Sequence, residues 1–229
     1  MNTKQLKRIS IYLAGMLTLA FGISLNVKTV LGVSPIISVA NCFSSLLSLP
    51  IGDTTFVLYS VFVIIQIIVH IHLSRKNSEI QLRSLIIKDI LQLPLSLVFT
   101  RIMNVFEIMI PQMNTLQDGF FSSMPGRLVA LAAAIIATGV GAAATLDMRL
   151  IQNPGDGIVQ SLSDLSKKET GFVKNVFDGI NVSLTVIISL IAEGNIIGIG
   201  AGTIIAFLGV GRVIAVFNHF LLPYLRKLV

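Results

Sequence analysis

The chain has 229 residues, 54% of them hydrophobic and 12% charged. Soluble domains carry about 25% charged residues, and the mean hydropathy here is +0.86, so the composition leaves no room for a soluble catalytic domain and implies an integral membrane protein. The net charge of +6 does not indicate nucleic acid as a partner, because Lys and Arg fall in short segments between apolar runs, without interleaved aromatics.

Met1 to Arg8 is basic and precedes an apolar run from Ile9 to Val27. That run is too long for a signal-peptide core and continues into patterned sequence, so it is expected to be a retained first membrane helix. A short segment at 34–48 follows, opened by Ser34-Pro35, and holds Cys42, whose single thiol excludes an internal disulfide. Further spans are predicted at 54–73, 84–105, 126–146, 172–192 and 196–221, the first being 9–28. The 84–105 segment is the least apolar, with Lys88, Asp89, Pro94 and Arg101. A second short segment, 153–167, is opened by Asn153-Pro154. Ser or Asn before Pro marks a helix start: the side chain caps free N–H groups, and Pro needs none at the first position.

Charge decides whether the short segments cross. With six spans, Lys4, Lys7, Arg8, Arg75, Lys76, Arg83, Arg149, Lys167, Lys168, Arg226 and Lys227 all lie on one side. The other side holds Lys28, Asp53, Glu107, Asp118, Arg127 and Glu193. Eight spans would divide the basic clusters. The positive-inside bias therefore predicts six spans with both termini cytoplasmic.

The order of features repeats at an offset of 119 residues: Gly22 with Gly141, Lys28 with Asp147, Ser34-Pro35 with Asn153-Pro154, Ser44 with Ser163, and Leu46 with Leu165. Beyond that a three-residue slip is expected, matching Asp53-Thr54-Thr55-Phe56 to Glu169-Thr170-Gly171-Phe172. Three spans per half is an odd number, so the second half must be upside down. The predicted fold is an all-α polytopic membrane bundle of six transmembrane helices in two inverted three-helix repeats, 1–110 and 120–229, each with a short Pro-capped amphipathic helix, re-entrant or interfacial. Inverted repeats of this kind recur in transporters, with the site near the bilayer midplane.

The first short helix puts Ser38, Asn41, Ser45 and Ser48 on one face, and the second Asp156, Gln160, Ser163, Asp164 and Lys167. If inserted, their N-termini would face a polar or anionic solute. If interfacial, they would lie among headgroups, which suits Lys167 and Lys168. Ionisable residues within spans are functional candidates. Asp178 and Arg212 lie deepest by count, and Arg101 or Arg212 is the expected partner of Asp178, whereas Lys88 and Asp89 could reach an interface. The substrate-binding candidates are thus Ser34, Ser38, Asn41, Asn153, Asp156, Gln160, Asp178 and Arg212. The Gly198–Thr203 run suits close helix packing more than an unwound turn. His70 and His72 face different ways, so they are no metal pair, and no catalytic, metal or phosphate-binding motif emerges. Neither an enzyme nor a cofactor is expected.

Leu31-Gly32-Val33-Ser34-Pro35, Asn153-Pro154-Gly155-Asp156-Gly157 and Gly198-Ile199-Gly200-Ala201-Gly202-Thr203 occur in that order along the chain. In this the chain resembles the YczE/YyaS/YitT-type family of bacterial integral membrane proteins, in the short form without a soluble C-terminal domain. The resemblance implies a bacterial cytoplasmic membrane and no particular activity. The expected partners are the lipid bilayer and a small-molecule solute, with a homo-oligomer or partner subunit compatible. The expected function is a transporter or permease. The alternatives are a substrate-capturing subunit of a multi-component transporter and a non-transporting scaffold or regulator.

Overall fold

The computed structural model describes residues 3–76, 81–116, 119–148, 150–221 and 224. Asp118, Arg149, Arg226 and Lys227, and the side chain of Lys76, lie outside the described residues. The chain forms α1 (Thr3–Lys28), α2 (Pro35–Leu47), α3 (Ile51–Lys76), α4 (Leu82–Met109), α5 (Met124–Asp147), α6 (Pro154–Ser166), α7 (Thr170–Glu193) and α8 (Ala201–Phe220), with two single 3₁₀ turns between α4 and α5. The described residues contain no strand. Six helices are long and apolar enough to cross a bilayer, at the positions read from the sequence, and the molecule is a multi-pass membrane protein. α2 and α6 have 13 residues each, or about 20 Å at 1.5 Å per residue. That is too short to cross about 30 Å of hydrocarbon.

Contacts between α1 and α5 establish that the halves are inverted. Arg8 Nε donates to the Met148 carbonyl at 2.7 Å and the Tyr12 hydroxyl to the Ile151 carbonyl at 2.8 Å. At the other end of the pair, Arg127 donates to the carbonyls of Thr29 and Val30. Positions rise along α1 as they fall along α5, so the two helices are antiparallel. Glycine lets them approach closely. A Cβ at Gly22 would strike the Thr138 backbone, and one at Gly141 would strike the Leu19 backbone. These contacts are the same contact in the two halves, since 119 separates Gly22 from Gly141 and Leu19 from Thr138.

The offset of 119 runs through the whole repeat. It relates the starts of α2 and α6, of α3 and α7, and of α4 and α8. It also relates the left-handed residues Ser48 (φ 52°) and Lys167 (φ 54°) that end the short helices. The Ser44 hydroxyl donates to the Leu49 carbonyl as the Ser163 hydroxyl donates to that of Lys168. The expected three-residue slip at Asp53 is therefore absent. The matched residues there are two similar helix-start signals, whereas the equal three-residue links after α2 and α6 set the register.

Each short helix packs on the other half: α2 against α7, and α6 against α3. Likewise α1 packs on α4 and α5 on α8. The symmetry fails in one place. α3 and α4 pack along their length, while α7 and α8 scarcely touch among the described residues.

The last helix starts at Ala201 and not at 196 as the hydropathy suggests. The Val33 amide donates to the Gly198 carbonyl at 2.8 Å and the Gly202 amide to the Leu31 carbonyl at 2.7 Å. Gly32 (φ 121°) and Gly198 (φ 72°) adopt backbone conformations that L side chains resist. The glycine run thus serves mainly as an unwound segment paired with residues 31–33, which corrects the expectation that favoured close helix packing over an unwound turn.

Candidate functional site

The first turns of α2 and α6 meet inside the bundle. A Cβ at Gly155 would lie 2.8 Å from Ile36 Cδ1. Pro35, Ile37 and Ser38 of α2 are buried, as are Pro154, Gly155, Gly157 and Ile158 of α6. Burial is concentrated in the first halves of both helices, and their last turns are largely exposed. From these buried first turns the two helices run toward opposite ends of the bundle, to Ser48 and Lys167, as a re-entrant arrangement requires. Non-helical backbone at such depth is tolerated where it is enclosed by protein or lines a cavity.

The meeting point is a cavity of ≈ 60 Å³. On this measure one water needs about 10–15 Å³, so the space holds a few waters or a small ion. Its walls come in repeat-related pairs: Leu19 with Thr138, Ile23 with Ala142, Ser34 with Asn153, Ile36 with Gly155, and Tyr59 with Asp178. The cavity therefore lies on the pseudo-two-fold axis. Ala206, Phe207, Val210 and Ile214 of α8 close the remaining side.

The polar groups are not symmetric. Asn153 Oδ1 accepts the Gly155 amide at 3.1 Å, and the Asn153 carbonyl accepts those of Asp156 and Gly157, both at 2.9 Å. The first-turn N–H groups of α6 are thus already satisfied, and Asp156 adds a carboxylate there. Ser34 makes no side-chain cap; its amide donates to Asn26 Oδ1 at 2.8 Å. Lys174 Nζ pairs with Asp178 Oδ2 at 2.7 Å, one turn apart on α7. Asp178 is buried, and its Oδ1 is without a hydrogen-bond partner. The Tyr59 hydroxyl neighbours Asn153 and Asp156. Two carboxylates against one ammonium make this an acceptor-rich site.

A cleft approaches from each end. One of ≈ 540 Å³ is lined by Lys28, Asn41, Ser44, Ser45, Asn104 and Glu107 among others. Another, of ≈ 260 Å³ at the basic end, is lined by Gln66, His70, Asp89, Gln92, Gln160 and Asp164 among others. Asn41 and Gln160 are repeat-related, as are Ser45 and Asp164, so the two short helices present matching positions to clefts at opposite ends.

Of the eight residues singled out from sequence, Ser34, Asn153, Asp156 and Asp178 line the central cavity. Asn41 and Gln160 line the outlying clefts, Gln160 donating to Asp164 at 2.9 Å. Ser38 is buried where α2 meets α7 and accepts from the Thr185 hydroxyl at 2.8 Å. Arg212 is exposed on α8 and does not line the cavity. The expected pairing of Asp178 with Arg101 or Arg212 is replaced by Lys174. Arg101 instead pairs with Asp53 at 2.6 Å, because α3 and α4 run antiparallel with those positions level. There the Gly52 amide donates to Asn104 Oδ1 at 2.7 Å and the Ile51 amide to Glu107 Oε2 at 2.9 Å. The start of α3 is thus capped by side chains of α4.

A buried polar chain was not anticipated. His70 Nδ1 lies 2.6 Å from Asp89 Oδ2, and His70 Nε2 lies 3.1 Å from the Ser161 hydroxyl. Gln66 and Gln92 exchange amide hydrogen bonds at 3.2 and 3.0 Å. Gln92 Nε2 also donates to Asp89 Oδ1 at 3.4 Å, and Gln66 Nε2 to the Pro154 carbonyl at 3.4 Å. Lys88 is exposed, whereas Asp89 is buried. The signal was present as i, i+4 and i, i+3 polar pairs, Gln66/His70 and Asp89/Gln92, on otherwise apolar helices.

Residues 6–219 match a protein family described as a family of unknown function, DUF6198. The chain belongs to that family. The match lends no support to the YczE/YyaS/YitT naming. No curated protein and no solved structure matches the chain. The three glycine-rich motifs that run through the chain converge in space. Residues 31–33 pair with the 198–202 segment, and the Ser34-Pro35 and Asn153-Pro154 turns face each other across the cavity.

Proposed function

We propose that this protein is a membrane transporter or permease for a small polar solute, with its site in the cavity between the first turns of α2 and α6. The observation that carries this reading is the meeting of two half-helices from opposite ends at a charged cavity, with a cleft approaching from each end. Secondary transporters place their sites at such repeat interfaces. The small central volume corresponds to a closed state, in which the solute would be admitted by movement of one half against the other.

The polar inventory favours a solute that donates hydrogen bonds or carries positive charge over an anion. Asp156 and the free Oδ1 of Asp178 are acceptors, and α6 has no first-turn N–H to spare. Positive-inside bias places the basic end, with the His70 cleft, in the cytoplasm. The poor contact between α7 and α8 beside Lys174 favours a second reading, a membrane subunit completed by a partner along that gap. Uptake into proteoliposomes of a panel of small organic cations, neutral polyols and anions tests the main reading. Uptake of a cation or polyol that is lost in Asp156→Asn and Asp178→Asn supports it. Confirmed uptake that is indifferent to both substitutions overturns the site.

A further inference from the structure

We infer that His70 and Asp89 form a proton-binding site, reached from the cleft at the basic end and coupled through α6 to the central cavity. The inference rests on the cavity being the solute site and names the coupling ion. Both groups are buried among apolar spans, where ionisable side chains are costly and mark ion or proton pathways. Each ring nitrogen of His70 has its own partner, Asp89 on α4 and Ser161 on α6.

The geometry accommodates both protonation states. In neutral His70, Nδ1–H donates to Asp89 and Nε2 accepts the Ser161 hydroxyl. When a proton arrives, Nε2–H donates to the Ser161 oxygen, and the Ser161 hydroxyl turns to the Gly157 carbonyl, 2.9 Å away. No bond is lost in the exchange, and only the Ser161 rotor moves. That rotor bears on the first turn of α6, whose Pro154 carbonyl also accepts from Gln66 and whose next face carries Asp156. A proton at His70 thus changes the hydrogen bonds that hold the turn lining the cavity.

The other charged groups lining this cleft are Lys88 on α4 and Asp164 on α6; the α5 side contributes Thr145 and Gln152. The repeat-related positions in the other half are Ser189 for His70, Leu208 for Asp89, Thr185 for Gln66 and Cys42 for Ser161, so the device is built once. The order Asp89, His70, Ser161 also resembles a nucleophilic triad. Ser161 lies in the interior of α6, however, where backbone N–H groups are consumed by the helix and none is left to hold an oxyanion.

The test has two arms on the full chain in detergent. In the first, ¹⁵N-histidine spectra are followed across about pH 5–8, with His70→Gln assigning the signal. The His70 ring is expected to pass from doubly protonated to neutral, and a ring that keeps one state throughout overturns the proposal. In the second, Ser34→Cys in a Cys42→Ser background is labelled with a small maleimide, each rate divided by that of the unfolded chain at the same pH. The normalised rate is expected to change by at least about fivefold over that range, the low end of typical coupling between sites. The change is expected to vanish in His70→Gln and in the isosteric Asp89→Asn. An unchanged profile in both variants overturns the coupling. A titrating His70 with a cysteine unlabelled at every pH upholds the proton site and sinks the cavity as a solute site.

Discussion

The two halves share one backbone and divide the chemistry between them. At the cavity, Tyr59, Ile37 and Thr55 of the first half occupy the places of Asp178, Asp156 and Lys174 in the second. Every charge facing the cavity therefore comes from the second half. In the outer layer the division reverses. Gln66, His70, Asp89 and Gln92 of the first half correspond to Thr185, Ser189, Leu208 and Gly211 in the second. The consequence for packing is direct: α3 and α4 are tied along their length by these side chains and by Arg101, Asn104 and Glu107 at the far end, while among the described residues α7 and α8 show no such ties and scarcely touch. The repeat supplies the axis and the two half-helices, while the cavity charges lie in one half and the buried His70 network mainly in the other.

Four experiments break or sharpen this comparison, each read as thermal unfolding of purified protein in detergent. The largest effect is expected where the halves are equivalent. Gly22→Val and Gly141→Val each force a side chain into the opposing backbone, and each should cost about 3 kcal/mol or more. A marked difference between the two would contradict the pseudo-symmetric crossing of α1 and α5. Next, Asp89→Ala strands the His70 and Gln92 donors and should cost about 2–3 kcal/mol. Its counterpart Leu208→Ala, at a position 49% exposed, should stay within about 0.5 kcal/mol. Equal losses would show that the network does not hold α3 to α4.

Third, Lys174→Ala leaves Asp178 buried beside an empty partner. Breaking a buried pair costs about 3–5 kcal/mol, but the Lys174 side chain is 35% exposed, so about 2 kcal/mol is expected. Lys174→Ala combined with Asp178→Asn should recover most of it. The smallest contrast separates the two helix caps. Asn153→Ala removes a real cap and should cost about 1 kcal/mol, and Ser34→Ala, which removes none, only a few tenths. Equal effects would mean that the two first turns are built alike.

Much of this fold was legible in the residues. The six spans followed from apolar length, and both short helices from Ser34-Pro35 and Asn153-Pro154. The repeat was visible too, but its register was not: two acidic-Thr starts imitated a slip that the equal links after Ser48 and Lys167 rule out. The site was half legible. Asp156, Asp178, Ser34 and Asn153 were accessible because caps and buried charges are local signals. The partner of Asp178 was not, since choosing Lys174 over an arginine requires knowing which helices are level. The His70 network was missed for the same reason. Its members come from α3, α4 and α6, and only the packing of α6 against α3 in the opposite half brings Ser161 to the ring.

The central claim is that two half-helices enter from opposite ends and meet at mid-membrane. It is tested by placing Ile36→Cys and Gly155→Cys together in a Cys42→Ser background and oxidising mildly in membranes. Contact between these positions predicts a disulfide within one chain, formed rapidly and read as loss of both free thiols to a mass-tagged maleimide without dimer. Helices lying on opposite surfaces would hold the thiols about 30 Å apart. Two thiols that stay free after oxidation in folded protein would contradict the account.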